Sequence, residues 1–336
     1  MTHKICVIEG DGIGHEVIPA GLKVLDALSL DAEYIHAEAG YDCYKNHGIS
    51  IPDETIKKVK SAHATLFGAV TSPPNIPGYK SAIITLRKSL NTFANLRPSY
   101  PFPSQITRPI KKKVDLVIVR ENSEDLYTGK ERLENDGSTA IAERIITKSG
   151  CERIIKYAFE YAQQNNRKKV TLIHKANILR ISDGLFLKIF EELAKNYPNI
   201  KANEMLVDSA AMRLITHPEY FDVIVTSNMF GDILSDEVAG LNGGLGLAAS
   251  ANIGLTNAMF EPVHGSAPDI AGKNISNPFA TFFSICLMLD WLKEKDLSKK
   301  LLSAINKCIE DSYFTPDLGG DHSTIEVTNK VISLLN

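Results

Sequence analysis

The stretch FDVIVTSNMFGDILSDE (residues 221–237) joins two hydrophobic patterns without a break. Its first part, FDVIVTSN, is a short apolar run typical of a buried strand. Its second part, NMFGDILSDE, has helical spacing, and three apolar side chains are expected to pack on the core: Met229, Ile233 and Leu234. Asp232 and Asp236 lie four residues apart and so share one helix face. The stretch predicts a strand leading directly into a helix with two neighbouring carboxylates.

The same alternation continues through the chain. Other apolar runs predicted as strands are KICVIE (4–9), ATLFGAV (64–70), VDLVIVRE (114–121) and KVTLIHK (169–175). Stretches predicted as helices are HEVIPAGLKVLDAL (15–28), CERIIKYAFEYAQQ (151–164), GLFLKIFEELAKN (184–196) and the segments after residue 276. Strands that alternate with helices predict an α/β fold, with largely parallel sheets covered on both faces.

Two breaks in this pattern suggest domain boundaries. RPSYPFPSQITRP (97–109) is rich in proline, and GGLGLAASANIG (243–254) is rich in glycine. If both mark boundaries, the middle of the chain forms one domain and the two ends pair to form the other.

The composition is that of an ordinary globular enzyme. The chain has 336 residues, 44% of them hydrophobic and 23% charged, and its net charge is −3. This charge argues against a protein that coats nucleic acid. Five dispersed cysteines indicate reduced thiols, and with no signal-peptide pattern at the start they favour a cytoplasmic location. FATFFSICLMLDWL (279–292) is too short to span a membrane and predicts a buried helix.

The segment GDGIG (10–14) follows the first predicted strand and resembles the start of a dinucleotide-binding turn. The full pattern G-x-G-x-x-G would need glycine at position 15, which is His15. No acidic residue follows at the end of a second strand in a convincing place. The segment therefore predicts a tight turn between strand and helix, and a cofactor would bind elsewhere.

The pair Asp232 and Asp236 has two possible explanations. The two like charges repel each other, and a divalent cation such as Mg²⁺ or Mn²⁺ would remove that repulsion. The alternative is an acidic stripe that faces solvent, with Asp232 favoured by the helix dipole.

Other polar residues at the ends of apolar runs favour a site. Asp208, Lys175, Arg120 and Tyr127 follow such runs or end them, and Arg87 and Arg97 lie in TLRKSLNTFANLRP. Arginines suit carboxylates, and a lysine and a tyrosine can transfer protons. The set fits metal-assisted oxidation next to a carboxylate.

These motifs are similar to those of a known family. In chain order they are GDGIGHEV, LRKSLNTFANLRP, RENSEDLYTG, HKAN, VDSAA, NMFGDILSDE, FEPVHGSAPDIAGK and TPDLGGD. Over essentially its whole length the chain resembles the metal-dependent, decarboxylating isocitrate, homoisocitrate and 3-isopropylmalate dehydrogenases. The resemblance implies two α/β domains that share a central sheet with a cleft between them. Residues 1–98 and 252–336 would form the large cofactor domain and 99–251 the small domain.

The resemblance also implies roles for single residues. Tyr127 and Lys175 match the catalytic pair. The residues that match substrate-binding positions are Ser81, Arg87, Arg97, Arg120, Tyr127 and Lys175. The metal ligands would be Asp208, Asp232 and Asp236. Asp208 and Lys175 match residues given by a partner subunit, so the resemblance implies a homodimer or homotetramer with shared active sites. Neutralising Asp232 or Asp236 is expected to abolish turnover and leave the fold intact.

The cofactor site implied by the resemblance is not a Rossmann crevice. It covers HGSAPDIAGK (264–273) and the residues near it: Asn177, Glu261, His264, Gly265, Ser266, Ala267, Asp269, Ile270 and Asn277. NADP-dependent members carry Lys-Tyr where this chain has Asp269 and Ile270. A carboxylate there repels a 2′-phosphate, so NAD is expected.

The loop GYKSAIITLR (78–87) matches the segment that selects the substrate. Isocitrate enzymes read Ser-x-Asn there, and this chain has Ser81 but Ile83. The combination with Ile84 resembles homoisocitrate enzymes, although bacterial members often have an arginine at the place of Ile84. Homoisocitrate ranks first, isocitrate second and 3-isopropylmalate third, with relaxed specificity open.

Three further expectations concern assembly and alternatives. KERLENDGSTAIAERIITK (130–148) resembles the β-arm that clasps a partner subunit, and Asn135-Asp136-Gly137 alone predicts a surface hairpin. No nucleic-acid or membrane partner is expected. The non-enzyme alternatives are a regulatory subunit of a hetero-oligomeric isocitrate dehydrogenase, disfavoured by the retained catalytic residues, and a metal-binding scaffold.

Overall fold

The computed structural model describes residues 2–73, 76, 78–106, 109–111 and 113–335. The strands are β1 (His3–Gly10), β2 (Ala32–His36), β3 (Ala64–Ala69), β4 (Ala94–Ser99), β5 (Leu116–Glu121), β6 (Glu131–Glu134), β7 (Thr139–Ala142), β8 (Lys169–His174), β9 (Lys201–Leu206), β10 (Val223–Thr226), β11 (Ala249–Ile253) and β12 (Ala258–Pro262). The helices are α1 (Gly14–Ala27), α2 (Tyr41–His47), α3 (Asp53–Ser61), α4 (Ala82–Ser89), α5 (Lys148–Gln164), α6 (Ser182–Ala194), α7 (Val207–Thr216), α8 (Asn228–Leu241), α9 (Phe279–Trp291), α10 (Lys295–Glu310) and α11 (Thr324–Leu335). The α/β class predicted from the sequence is confirmed.

The chain divides into two compact units. The terminal unit consists of Met1–Asn91, Pro101–Lys112 and Ala239–Asn336, and the middle unit of Thr92–Tyr100 and Lys113–Val238. The predicted division had one boundary at 98/99 and the other at 251/252. In the structure Pro101–Lys112 and residues 239–251 belong to the terminal unit, whereas residues 97–100 of the Pro-rich stretch belong to the middle unit. Strand β11 belongs there because it pairs with β12 in antiparallel register.

The terminal unit has strands in the order β2-β1-β3-β12-β11. All neighbouring pairs are parallel except β12 with β11. Helix α9 packs against β3, β11, β12, α1 and α10, and every residue from Phe279 to Leu289 is buried. The apolar segment 279–292 is therefore a buried core helix, as predicted. In the described part of the chain no helix is both long and apolar enough to cross a membrane.

The middle unit has strands in the order β4-β5-β10-β8-β9. Strand β4 is antiparallel to β5, and the other neighbours are parallel. Helix α5 packs against β5, β8, β10 and α6. It begins at a cap in which the Thr147 hydroxyl accepts the Gly150 amide at 3.0 Å. Because four strands run in one direction, the residues that follow them lie at one edge of this sheet.

One prediction about helix α8 is wrong. Leu234 and Val238 are buried, but Ile233 is 58% exposed. Successive helix positions are about 100° apart, so the face that buries Leu234 turns its neighbour Ile233 outwards. Strand β10 also ends earlier than the predicted run because Asn228 already begins the helix.

The stretch 130–148 forms the predicted hairpin. Strands β6 and β7 pair in antiparallel register from Glu131–Ala142 to Glu134–Thr139. Asn135, Asp136 and Gly137 all have positive φ angles, which suits the turn chemistry of these residue types. Every residue of β6 is exposed. A role in clasping a partner stays a prediction.

Candidate active site

Arg120 is the buried centre of the predicted site. It lies near the end of β5, paired in register with Thr226 of β10, and its side chain is 1% exposed. Its Nε and Nη2 donate to Asn228 Oδ1 at 2.9 and 2.7 Å. The aliphatic part of the side chain lies against Gly231, where an added Cβ would come within 2.6 Å of Arg120 Cγ. Gly231 therefore lets α8 pass close to this arginine.

Asp232 receives two donors in the middle unit. Arg120 Nη1 and the Tyr127 hydroxyl both donate to its carboxylate. The guanidinium of Arg120 also lies 5.0 Å from the centre of the Tyr127 ring, a favourable cation–π distance. Three of the predicted site residues thus form one connected group, although 112 positions separate Arg120 from Asp232 in the sequence.

Arg97 connects both aspartates of α8. Its Nη2 is 3.3 Å from Asp232 Oδ1, and its Nη1 is 3.2 Å from Asp236 Oδ1. Nη1 also donates to Ser235 Oγ at 2.6 Å, and Nε donates to Asn95 Oδ1 at 2.8 Å. One guanidinium therefore reaches both carboxylates, which shows that they converge.

Burial shifts two pKa values in this group. Burial raises the pKa of the Tyr127 phenol above its usual value, and the bond to Asp232 raises it further, while Arg120 opposes the shift. Burial also raises the pKa of Asp236, Arg97 opposes this, and the neighbouring charge of Asp232 adds to it. Tyr127 therefore stays protonated at neutral pH, as a proton donor must.

The two aspartates fit a hard divalent cation. Carboxylate oxygens are the ligands that Mg²⁺ and Mn²⁺ prefer, and Mg²⁺ commonly needs one or two protein carboxylates. Asp208 is not part of the group in this chain. Among the described residues, the one set of three acid, histidine or cysteine ligands within 4.8 Å of one another is Glu38, Cys43 and His47.

Asp208 instead pairs with Lys175. Lys175 follows β8 and Asp208 lies in the first turn of α7, after β9. The distance from Lys175 Nζ to Asp208 Oδ1 is 2.6 Å, and the bond holds the pKa of Asp208 below its usual value. The Asp208 side chain is 63% exposed. The structure therefore brings together the two residues that resemblance assigned to a neighbouring subunit.

Exposed apolar side chains flank this pair. Those that follow Lys175 are Ile178 and Ile181, 69% and 91% exposed, and those on α7 are Met212 and Ile215, 60% and 51% exposed. Ile233 of α8 is exposed as well. Asn177, predicted to lie near a nicotinamide, is also exposed here. Exposed apolar side chains on both sides of a polar pair fit an interaction surface, although large apolar residues such as Ile49 and Leu255 are exposed on the terminal unit as well.

In the terminal unit, Arg87 pairs with Glu261. Arg87 Nη2 donates to Glu261 Oε1 at 2.9 Å, and Asn252 Nδ2 donates to the same oxygen at 2.7 Å. Both side chains are at most 14% exposed. Ser81 precedes α4 and lies beside Ser72, with 3.3 Å between their hydroxyl oxygens. Ile83 is half-buried and packs against the core cluster that contains Leu86.

The predicted cofactor segment follows β12 in the same unit. Ser266 accepts the Ile13 amide at 2.9 Å through its carbonyl, and its hydroxyl lies 2.6 Å from Thr71 Oγ1. A Cβ at Gly12 would meet the Ser266 carbonyl oxygen at 2.1 Å. The GDGIG turn thus packs directly against the predicted cofactor segment. Its sequence did not indicate this contact.

Other residues of the predicted cofactor site differ in their hydrogen-bond partners and in their exposure. His264 Nδ1 lies 3.0 Å from the Gly265 carbonyl oxygen, and its Nε2 is buried without a partner among the described residues. Burial lowers the pKa of His264, which keeps the ring neutral. Asn277 donates to Asp317 Oδ2 at 2.9 Å, whereas Asp269 is exposed. An unpartnered buried ring nitrogen fits a site built to receive a polar ligand.

Arg144 was missed in the sequence because it lies in the segment read as a surface arm. Its Nε donates to Asp125 Oδ1 at 2.7 Å, its Nη1 pairs with Asp183, and its Nη2 donates to Ser227 Oγ at 3.0 Å. The guanidinium also lies 5.2 Å from the Phe230 ring centre. Only the fold could identify these partners, because they come from distant segments.

The partners of Arg144 hold the predicted catalytic residues in turn. Asp125, which precedes Tyr127, accepts the Met229 amide in the first turn of α8 at 3.1 Å. Asp183 accepts the Lys175 amide at 2.6 Å. Through these bonds the Arg144 guanidinium links the backbone segments that carry Tyr127, Lys175 and Asp232.

Comparisons with known proteins all indicate the same family. Residues 4–331 match the family model described as isocitrate/isopropylmalate dehydrogenase. The chain is 56% identical to a homoisocitrate dehydrogenase of Methanocaldococcus jannaschii over 99% of this chain and 97% of that protein. It is 49% identical to a 3-isopropylmalate dehydrogenase of Methanothermobacter thermautotrophicus over 98% and 97% of the two chains.

A solved structure agrees with the fold. The crystal structure of isocitrate dehydrogenase from Methylococcus capsulatus superposes with a TM-score of 0.96 at 43% identity, covering 99% of both chains. The family match and these relatives confirm the resemblance drawn from the motifs, and all of them are dehydrogenases. The chain therefore belongs to the isocitrate/isopropylmalate dehydrogenase family and is an oxidoreductase.

Proposed function

We propose that the chain catalyses the NAD-dependent oxidative decarboxylation of an (R)-malate-type acid, homoisocitrate first, assisted by Mg²⁺ or Mn²⁺. The observation that carries this proposal is the connected group of Arg120, Asp232 and Tyr127. It combines a buried cation for a substrate carboxylate, an anion for a metal and a protonated phenol.

The charges of the group suit a substrate and a cation that bind together. Arg97 and Arg120 balance Asp232 and Asp236 in the free chain. If the aspartates hold a divalent cation, its charge replaces that of the two guanidinium groups. Arg97 and Arg120 are then available for the carboxylates of the substrate.

The reaction divides between the bound groups and the residues of the chain. A bound nicotinamide would supply the acceptor for a hydride from the alcohol carbon, and a cation held by Asp232 and Asp236 would supply positive charge beside the neighbouring oxygen. Lys175 takes part in a relay that removes the hydroxyl proton. The β-carboxylate leaves as CO₂, and Tyr127 then donates its phenolic proton to the carbon from which the carboxylate departed.

One feature favours NAD over NADP, and a second fits a bound nucleotide of either kind. Asp269 is exposed at the position where a carboxylate would accept hydrogen bonds from ribose hydroxyls and repel a 2′-phosphate. The unpartnered His264 Nε2 offers a buried polar atom to a ligand in the same segment.

A shared site in a homodimer accounts for the separation of the predicted metal ligands. Asp208 and Lys175 pair away from Asp232 and Asp236 in one chain, and exposed apolar residues flank them. A second copy that covers this surface would bury the apolar residues and deliver both polar residues to its neighbour. The exposed hairpin β6–β7 is proposed to clasp that copy. A homotetramer is an extension of the same arrangement.

The ranking of substrates rests on the loop before Arg87. The hydroxyls of Ser72 and Ser81 lie side by side and can donate to a distal carboxylate, which favours homoisocitrate and isocitrate over 3-isopropylmalate. The half-buried Ile83 stands where isocitrate enzymes carry asparagine, which favours homoisocitrate over isocitrate.

The test is NADH formation at fixed Mg²⁺ with homoisocitrate, isocitrate and 3-isopropylmalate in parallel, with NADP as the cofactor control. We expect the highest kcat/KM for homoisocitrate with NAD. Comparable values would indicate a relaxed pocket, and a lead for isocitrate would refute the role given to Ile83. Turnover that persists without divalent cations would refute the metal assignment.

A further inference from the structure

The geometry points to a second metal site in the terminal unit, formed by Glu38, Cys43 and His47, which we propose binds a thiophilic divalent cation of the Zn²⁺ class. Nothing in the proposed reaction uses these residues. Their ligand atoms, one carboxylate oxygen, one sulfur and one ring nitrogen, all lie within 4.8 Å of one another.

The spacing of the three atoms suits a tetrahedral ion. Around Zn²⁺ with bond lengths near 2.0 to 2.3 Å, neighbouring ligand atoms lie roughly 3.3 to 3.7 Å apart. His47 Nε2 is already 3.1 Å from Glu38 Oε2. The other separations, none above 4.8 Å, exceed these distances by at most about 1.5 Å. A water molecule can complete the fourth position.

Local structure fixes two of the ligands in advance. Cys43 and His47 lie four residues apart on α2, so they share one helix face. The helix is held at its start, because the Asp11 carboxylate accepts the amides of Tyr41 and Asp42, both at 2.8 Å. It ends at His47, and the next residue, Gly48, closes the last turn with a φ of 73°.

The ligand atoms are available. Cys43 is a free cysteine, 4% exposed, and its thiol makes no hydrogen bond in the described part of the chain. Hydrogen bonds to the Glu38 carboxylate come, among the described residues, from His47 alone. Glu38 and Cys43 also line a cavity of about 500 Å³ that reaches His15 and Asp42, so an ion has a route from solvent.

The donor set separates this site from the one at Asp232 and Asp236. Sulfur and imidazole ligands select Zn²⁺ or Co²⁺ over Mg²⁺, whereas a purely carboxylate set favours Mg²⁺ or Mn²⁺. An excess of Mg²⁺ therefore occupies the carboxylate site and leaves the sulfur site open. An ion bound here would join the loop after β2 to the last turn of α2 and stabilise the folded terminal unit.

The test uses Co²⁺ as a spectroscopic probe on the full-length, reduced protein with excess Mg²⁺. Thiolate bound to Co²⁺ gives a near-ultraviolet charge-transfer band, which oxygen ligands do not give. We expect the band to saturate at one Co²⁺ per chain and to disappear when Zn²⁺ is added. Zn²⁺ should also raise the Tm by several degrees.

Three variants locate the site. Cys43→Ser should lose the band, and His47→Ala should weaken Co²⁺ binding by about 10- to 100-fold. His36→Ala is the matched control, because His36 lines the same cavity outside the ligand set, and it should bind as the parent does. If Cys43→Ser does not fold by circular dichroism, the exposed His47→Ala variant decides alone. No band in the parent, or an unchanged band in either ligand variant, would overturn the proposal.

Discussion

The middle unit holds two groups of charged residues that differ in how complete they are. The arginine–aspartate cluster, formed by Arg97, Arg120, Tyr127, Asp232 and Asp236, has a fully buried centre, and its charges balance within one chain. The Lys175–Asp208 pair is a single contact whose aspartate is 63% exposed. Asp232 of the cluster and both members of the pair follow parallel strands of one sheet, so these three residues have equivalent positions in the fold. The difference shows that one chain preorganises the first group by itself, whereas the second remains exposed, as the proposed shared site requires.

The strongest test of the cluster compares its two aspartates. Asp232→Asn should lower kcat by about 10³-fold, because the charge opposite Arg120 and Tyr127 is lost. It should also lower the free energy of unfolding by about 2 kcal/mol, since Arg120 is left buried with a weaker partner. This value is below the roughly 3 to 5 kcal/mol that breaking a fully buried ion pair costs, because Asp232 is 37% exposed. Steady-state kinetics and urea unfolding measure both effects.

Neither neutralisation is expected to unfold the chain, but the two variants should differ in stability. Asp236 is 55% exposed, so Asp236→Asn should lower kcat strongly but change the free energy of unfolding by less than about 0.5 kcal/mol. Glu237→Gln, next on the same helix, serves as the control. It should leave kcat unchanged and should not lower the free energy of unfolding, because burial raises the pKa of Glu237 and a neutral amide avoids that cost. Equal loss of stability in the two aspartate variants would mean that burial of Arg120 does not distinguish them.

Mixing two inactive variants tests whether the Lys175–Asp208 pair serves a second chain. Lys175→Ala and Asp232→Asn should each be nearly inactive alone. After mixed refolding in equal amounts, half of the dimers combine both variants and contain one intact shared site. About a quarter of the parental kcat per site is therefore expected. If activity stays at the level of the single variants, all catalytic residues come from one chain and the shared site is refuted.

Arg144 connects the segments that carry the two groups, so its loss should affect them together. Arg144→Met should lower kcat by about 10- to 100-fold with a smaller change in KM, because misplaced catalytic groups cost more in the transition state than in substrate binding. Arg144→Lys should recover part of the loss, since it keeps the charge but not the forked geometry.

The control for this variant is Arg167→Met. Arg167 also pairs with two aspartates, Asp115 at 2.6 Å and Asp222 at 3.1 Å, but these precede β5 and β10, whereas the site residues end or follow those strands. It should leave kcat unchanged. A fall in stability without a fall in kcat in Arg144→Met would assign Arg144 a structural role only.

The smallest expected effect is in the titration of two carboxyl groups. The pKa of Asp208 is lowered by Lys175, and the pKa of Asp236 is raised by burial. Asp208 therefore adds stability above the ordinary aspartate value, and this is lost as pH falls through its folded pKa. For Asp236 the sign is opposite, and its stabilising contribution is lost as pH rises through its folded pKa.

Carboxyl ¹³C NMR titration without divalent cations measures both groups. We expect the Asp208 midpoint below 3.8 and the Asp236 midpoint above it. In Lys175→Ala the Asp208 midpoint should rise towards its ordinary value, because the largest cause of the lowered pKa is lost, while the Asp236 midpoint should not move. Two equal midpoints in the parent would remove the electrostatic contrast between the groups.

Much of the fold followed from local patterns. The buried strand before Asn228, the amphipathic helix α5 and the core helix α9 occur where periodicity predicts them, and Asn135-Asp136-Gly137 forms the predicted turn. Local patterns did not predict the burial of side chains that depends on neighbouring elements. Ile233 fits the apolar side of its helix by spacing, yet it is exposed, because spacing alone does not reveal which arc of a helix meets the core.

For the candidate site, the sequence by itself determined which residue types are present and that Asp232 and Asp236 share a helix face. The motifs also identified the family, because many short matches in a fixed order occur together. Only the tertiary structure decided that Arg120 and Tyr127 contact Asp232 and that Asp208 contacts Lys175. The same holds for the contact of Arg144 with Asp125 and for the proximity of Cys43 to Glu38 and His47. The physical reason is strand order. Strands β5 and β10 are neighbours in the sheet although about a hundred residues separate them, and contacts made across such a distance leave no local pattern in the sequence.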